Sequence, residues 1–199
     1  MRAIVFDLDG TLLRPSGSYA EVLTAAFETT TGFVDDDWFE TYDTAFFEAF
    51  ESFDPSPVEA AVATIDGGPD PGAFADALLE AEIERFEPPP GTFAALDRLG
   101  ADSELAVCTN GVGDWQRAKL RAHDLLAPFD AVVTSYEVGA HKPDPAPFRA
   151  VEAATSADAY LMVGDGDADV DGARAVGWET VRYEGGDLPS VADAIGPYQ

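Results

Sequence analysis

Positive charge is the scarcest resource in this sequence. Eleven Lys and Arg stand against 38 Asp and Glu in 199 residues, a formal net charge of −27. Only two of the basic residues are lysines, Lys119 and Lys142. So acidic a surface repels nucleic acid and anionic membranes, which removes both from the expected partners. Excess acid with almost no lysine is the composition of a protein kept soluble in concentrated salt, so a halophilic source is expected. Cysteine is nearly missing too: Cys108 stands alone, which excludes an internal disulfide and a multi-cysteine metal site. No apolar run is long enough to span a bilayer. An apolar strand begins within a few residues of Met1, leaving no room for a signal peptide, and a cytoplasmic location is expected. Internal repeats and low-complexity tracts are also lacking. What is plentiful is core material: 46% hydrophobic residues with 13 Phe, six Tyr and three Trp. That suffices for one sizeable core and a small second domain.

The first apolar run, Ile4-Val5-Phe6, reads as a buried strand and stops at Asp7-Leu8-Asp9-Gly10-Thr11-Leu12. Two carboxylates one residue apart at a strand end can converge on a common point. Buried like charges that close are costly unless a metal or a shared proton compensates. Gly10 permits a tight turn and Thr11 offers a hydroxyl. A solvated acidic turn is the other reading of the same residues.

Downstream, Ser18 and Glu21 form a candidate capping box for a helix over 19–31, which Gly32 ends. Asp35, Asp36 and Asp37 precede a second helix whose Trp38, Tyr42, Phe46, Phe47 and Phe50 share a side. A short helix follows Pro57, another covers 71–86, and Pro88-Pro89-Pro90-Gly91 closes the segment. Residues 13–90 therefore read as a helical insertion whose aromatics are its core. It carries 18 acidic residues against Arg14 and Arg85, both expected at the surface. From Gly91 helices alternate with strands at 104–108, 131–134, 159–163 and 179–182, with helices at 91–99, 114–123, after Pro145, at 171–176 and at the C-terminus. This alternation predicts an α/β fold: a Rossmann-like, doubly wound parallel sheet built from 1–12 and 91–199. Ligands of such sheets bind beyond the carboxyl ends of the strands.

Chemistry-bearing residues gather at those ends. Thr109-Asn110-Gly111 can offer donors to a phosphate, or simply make a turn. Cys108 reads as a buried strand residue, with no neighbouring His to activate it. Lys142, in His141-Lys142-Pro143-Asp144-Pro145, is a scarce residue at a strand end, and a compact ammonium there can hold a phosphate and a carboxylate together. Asp144 is expected to cap or position that loop, His141 to be a loop residue and His123 a helix-end residue. Asp165, Asp167, Asp169 and Asp171 put four carboxylates in seven residues, which predicts a divalent-cation site. An EF-hand reading fails, because position twelve falls on Trp178 and a strand precedes the loop.

The ordered set of Asp7-Leu8-Asp9-Gly10-Thr11-Leu12, Thr109, Lys142 with its Pro-Asp-Pro, and the pair Asp165/Asp169 resembles the four motifs of the haloacid dehalogenase-like (HAD) hydrolase superfamily across nearly the whole chain. The resemblance implies Asp7 as nucleophile, Asp9 as acid/base, and Thr109, Asn110 and Lys142 as phosphate-binding groups. It implies Mg²⁺ held by Asp7, the Asp9 backbone carbonyl and Asp165, with Asp169 acting through water or by orienting Lys142. Asp167 and Asp171 are left as solvated acids. The insertion then corresponds to a helical cap of the first class. An acid at Asp9 favours phosphate over carbon–halogen chemistry. The expected activity is hydrolysis of a small phosphorylated metabolite, in the phosphoglycolate phosphatase-like branch or as a broad sugar- or nucleotide-monophosphate phosphatase. A β-phosphoglucomutase-like phosphotransferase and a non-catalytic binding protein stay open. Oligomeric state is not readable.

Overall fold

The opening apolar run is β1 (Arg2–Phe6), buried along its whole length, in a computed structural model that describes residues 1–196. The chain continues through β2 (Arg14–Pro15), α1 (Tyr19–Thr31), α2 (Asp36–Glu51), α3 (Pro57–Val62), α4 (Pro71–Arg85) and β3 (Phe86–Glu87). It then alternates: α5 (Thr92–Gly100), β4 (Ser103–Thr109), α6 (Gly113–Ala122), β5 (Ala131–Thr134), α7 (Ser135–Val138) and α8 (Pro145–Ala154). The last elements are β6 (Ala159–Gly164), α9 (Asp167–Ala175), β7 (Glu179–Arg182) and α10 (Leu188–Ile195). The chain divides into two compact units, residues 15–86 and the remainder. Among the described residues no helix is long and apolar enough to cross a membrane.

The larger unit is the expected doubly wound α/β core. Its five strands run parallel in the order β5-β4-β1-β6-β7, with β1 in the middle. Strand periodicity sorts the side chains by face: Ala3 and Val5 pack with Ala106, Cys108, Phe148, Met162 and Trp178 on one side. Ile4 and Phe6 point to the other, where Phe6 meets Phe129 edge-on at 6.2 Å. The chain leaves β1 to build β4 and β5 on one flank, then returns to build β6 and β7 on the other. This reversal puts a crevice at the carboxyl end of β1.

In the helical unit, Glu21 accepts from the Ser18 backbone N–H at 2.9 Å, and Gly32, with φ of 78°, ends α1. Asp35 caps α2 by accepting from Asp37 N–H at 3.1 Å. The core is aromatic: Phe27 meets Phe74 at 4.5 Å and Trp38 at 5.2 Å between ring centres. One member of the expected stripe is not core. Phe47 is 61% exposed, because it sits one residue, about 100° of helical turn, past Phe46. Three further departures from the pattern concern boundaries. Phe86 is strand, and it pairs in the short β2–β3 ribbon, so residues 13–90 are not wholly helical. The one-turn α7 is too short for any periodicity to reveal. Finally, α9 begins at Asp167, four residues early, because Asp169 reaches back to the Gly166 N–H at 3.1 Å and acidic residues suit a helix N-terminus.

Candidate active site

Asp7 is the first residue beyond β1, its N–H still bonded to the Val163 carbonyl at 2.9 Å. Lys142, delivered by the loop between α7 and α8, is 5% exposed and donates to Asp7 Oδ1 at 2.7 Å, to the Cys108 carbonyl at 2.6 Å and to Asp169 Oδ1. All three protons of the ammonium are thereby matched to acceptors. Burial works against the Lys142 charge, but Asp7 and Asp169 outweigh it and hold its pKa above the ordinary lysine range. Burial also dominates at Asp7, pushing its carboxyl up to about 7, with Lys142 opposing and Asp169 reinforcing. The Cys108 thiol, pushed up to about 12 by burial, is inert, as its strand position suggested.

The loop around Lys142 is pinned by Asn110. Its amide donates to the Lys142 carbonyl at 3.1 Å and its Oδ1 accepts the Lys142 N–H at 2.8 Å. Both polar ends of Asn110 are thus spent on the main chain, so the side chain positions the lysine. Thr109 ends β4 with its hydroxyl buried and accepting from Gln116 Nε2 at 3.0 Å. His141 Nδ1 shares a 2.8 Å hydrogen bond with Ser135 Oγ, which also accepts the Gly111 N–H. Asp144 caps α8 through the Ala146 N–H.

A cation would be held by oxygen. Asp7, Asp165 and Asp169 each offer a carboxylate oxygen within 4.8 Å of the others, an all-oxygen set suited to Mg²⁺. Thr11 Oγ1 fixes Asp165 at 3.0 Å. Gly10 has φ of 96°, and a Cβ there would stand 2.5 Å from Asp165 Oδ2, so the turn excludes any other residue. A Cβ at Gly164 would likewise stand 2.5 Å from Asp169. Asp169 already serves Lys142 with one oxygen and Gly166 with the other. Asp167 pairs with Arg182 and Asp171 with Arg174, all four at the surface. Arg14 lies 5.7 Å over the Tyr183 ring.

Against this geometry stands the comparison with known proteins. A model of the haloacid dehalogenase-like hydrolase family matches residues 1–177. The chain belongs to that family. Phosphoglycolate phosphatase of Cereibacter sphaeroides is 38% identical over 89 residues, covering 44% of this chain and 41% of that protein. The chain thus matches less than half the length of that relative. In structure it resembles a HAD phosphatase from Thermococcus onnurineus, with a TM-score of 0.74, 24% identity and 98% of each chain covered. A HAD-hydrolase from Bacillus subtilis, solved bound to magnesium, aligns with a TM-score of 0.71, 24% identity and coverage of 90% and 86%. At that identity the two structures speak for the fold.

Sequence reading of this HAD family member overlooked two residues. Lys119 donates to Asp9 Oδ1, and Gln116, one turn earlier on α6, donates to Asp9 Oδ2 at 2.8 Å. The signal for Lys119 was present: it is the other lysine in a chain almost without them. Nothing in its helical setting distinguished it from a solvated lysine, and it is 2% exposed. Gln116 carried no sequence signal. Its amide orientation is set by three acceptors around Nε2: Asp9 Oδ2, Thr109 Oγ1 and the Asn110 carbonyl.

Proposed function

We propose that this chain is a Mg²⁺-dependent phosphatase that hydrolyses small phosphomonoesters through an aspartyl-phosphate on Asp7. The observation that carries the reading is the buried Lys142 joined to both Asp7 and Asp169, with the Asp165 carboxylate converging on them. That arrangement holds a carboxylate nucleophile beside a cationic anchor for a phosphoryl group. The names of the phosphatase relatives support it.

A resident Mg²⁺, held by Asp7, Asp165 and the Asp9 main-chain carbonyl, would screen the repulsion between the nucleophile and the substrate. The chain supplies the rest. Asp7 attacks phosphorus in line while Thr109 Oγ1 and Lys142 Nζ, the latter exchanging its bond to the attacking Asp7 carboxylate for one to the phosphoryl group, take equatorial oxygens. Asp9 protonates the leaving oxygen, then accepts a proton from the water that opens the aspartyl-phosphate. Asp169 keeps Lys142 in place. To the helical insertion expected over residues 13–90 we assign the role of a cap. The acidic, lysine-poor composition suits work in concentrated salt in the cytoplasm.

The test is phosphate release from a panel of small phosphomonoesters in high potassium chloride with Mg²⁺, wild type beside Asp7→Asn. Turnover lost in the variant and with chelator supports the reading, and the panel ranks substrates from phosphoglycolate to sugar and nucleotide monophosphates. Folded wild-type protein that releases no phosphate but moves it between sugar hydroxyls is a mutase. Turnover surviving in Asp7→Asn removes the nucleophile assignment.

A further inference from the structure

Asp9 is bound on both carboxylate oxygens by one face of α6, Lys119 on Oδ1 and Gln116 on Oδ2. Both donors are buried, at 2% and 3% exposure. Removing an ammonium from water costs several kcal/mol unless it is well paired. A chain that has dispensed with lysine on its surface has nevertheless kept this one inside, against the second aspartate of the first motif. We propose that Lys119, assisted by Gln116, is a positioning residue that fixes the Asp9 carboxyl for proton transfer; the inference rests on the phosphatase reading above.

The geometry gives the reason. The Asp9 side chain is 37% exposed, so without its two donors it is free to turn into water. Gln116 also ties it to the phosphate-binding end of β4, because the same Nε2 reaches Thr109 Oγ1 at 3.0 Å. Acid and hydroxyl are therefore held in one frame. Gln116 keeps Thr109 and the Asn110 carbonyl as acceptors when Oδ2 carries a proton, while Lys119 stays on Oδ1. In the first step an Asp7 oxygen bonds to phosphorus as the ester P–O bond breaks, and the Asp9 proton passes to the leaving oxygen to give the free alcohol. In the second step water bonds to phosphorus, its proton returns to Asp9, and the Asp7–phosphorus bond breaks.

Leaving-group dependence separates this role from a merely structural one. kcat/KM reports the steps up to alcohol release, where an alkoxide needs a proton and p-nitrophenolate does not. In the Mg²⁺-loaded enzyme, Lys119→Met is expected to lower kcat/KM about 100-fold on glycerol phosphate but less than about 5-fold on p-nitrophenyl phosphate, the scale of general acid catalysis. Lys119→Arg is expected to recover part of the loss. Mg²⁺ affinity by calorimetry is expected to stay within about 2-fold, since Lys119 holds the Asp9 side chain, whereas the metal would be held by the Asp7 and Asp165 carboxylates and the Asp9 main-chain carbonyl. Equal losses on the two esters, or a loss that tracks Mg²⁺ affinity, overturns the proposal. If Lys119→Met does not fold, Gln116→Leu carries the same comparison, with the same ester selectivity expected and a uniform loss overturning it. Folded wild-type protein that binds Mg²⁺ and hydrolyses neither ester fails the phosphatase reading itself, an outcome distinct from a uniform loss in a variant.

Discussion

The two units of this chain handle the same bias toward acid in opposite ways. Residues 15–86 carry 17 acidic residues and one basic one, Arg85. There the charge is mostly outside and the interior is rings, Phe27 and Phe74 among them fully buried. Glu82 is the buried acid of that unit and is satisfied by Tyr19 Oη at 2.8 Å. The α/β unit turns charge inward: Asp7, Asp169, Lys119 and Lys142 are all buried around the end of β1. Acid on a surface keeps a protein soluble at small structural cost, whereas acid in a core demands a specific counter-charge. The two lysines are where that demand is met.

The comparison is tested hardest at Lys142. Lys142→Met strands Asp7 and Asp169 without their cation and is expected to cost about 3–5 kcal/mol, read as a lowered denaturant midpoint, together with loss of turnover. In the helical unit the equivalent blow is to a ring, not a charge. Phe27→Ala is expected to cost about 3–5 kcal/mol through the cavity it leaves, and a much smaller loss would mean that this unit is not held by its aromatic core. The pH dependence differs as well. Folded metal-free protein keeps a proton on Asp7 up to about pH 7 that the unfolded chain releases near 3.8. The folded state thus binds more protons in that window, so stability falls as pH rises through it. Melting temperatures in chelator across that range should show the decline, and Asp7→Asn should flatten it. A smaller effect is expected at Asp35→Ala, about 1 kcal/mol for the lost cap of α2. Smallest is Asp43→Asn on the exposed side of α2, expected within about 0.5 kcal/mol; a larger loss would break the contrast between outward and inward charge.

How far each feature could be read depends on how local its cause is. The alternation of strands and helices and the capping of α1 follow from spacings of a few residues. Asp7 was visible because it sits where a strand gives way to a loop, whereas Lys142, in the loop between α7 and α8, stood out by its rarity. Lys119 is equally rare but lies mid-helix, where a lysine ordinarily belongs to the surface. The start of α9 was read four residues late because the run of aspartates that opens it looks like a loop, and only the reach of Asp169 back to Gly166 makes it a helix start. Phe47 was read as core because it adjoins a real apolar stripe.

By itself the sequence determined the fold class, the family and the residues at the strand ends, since these follow from local periodicity and from motifs in fixed order. Only the tertiary structure decided which lysine serves which aspartate. Lys119 and Asp9 lie 110 positions apart, and Lys142 and Asp7 lie 135 apart. No local pattern can encode such pairings; they exist because β1, at the centre of the sheet, is bordered by strands made much later in the chain.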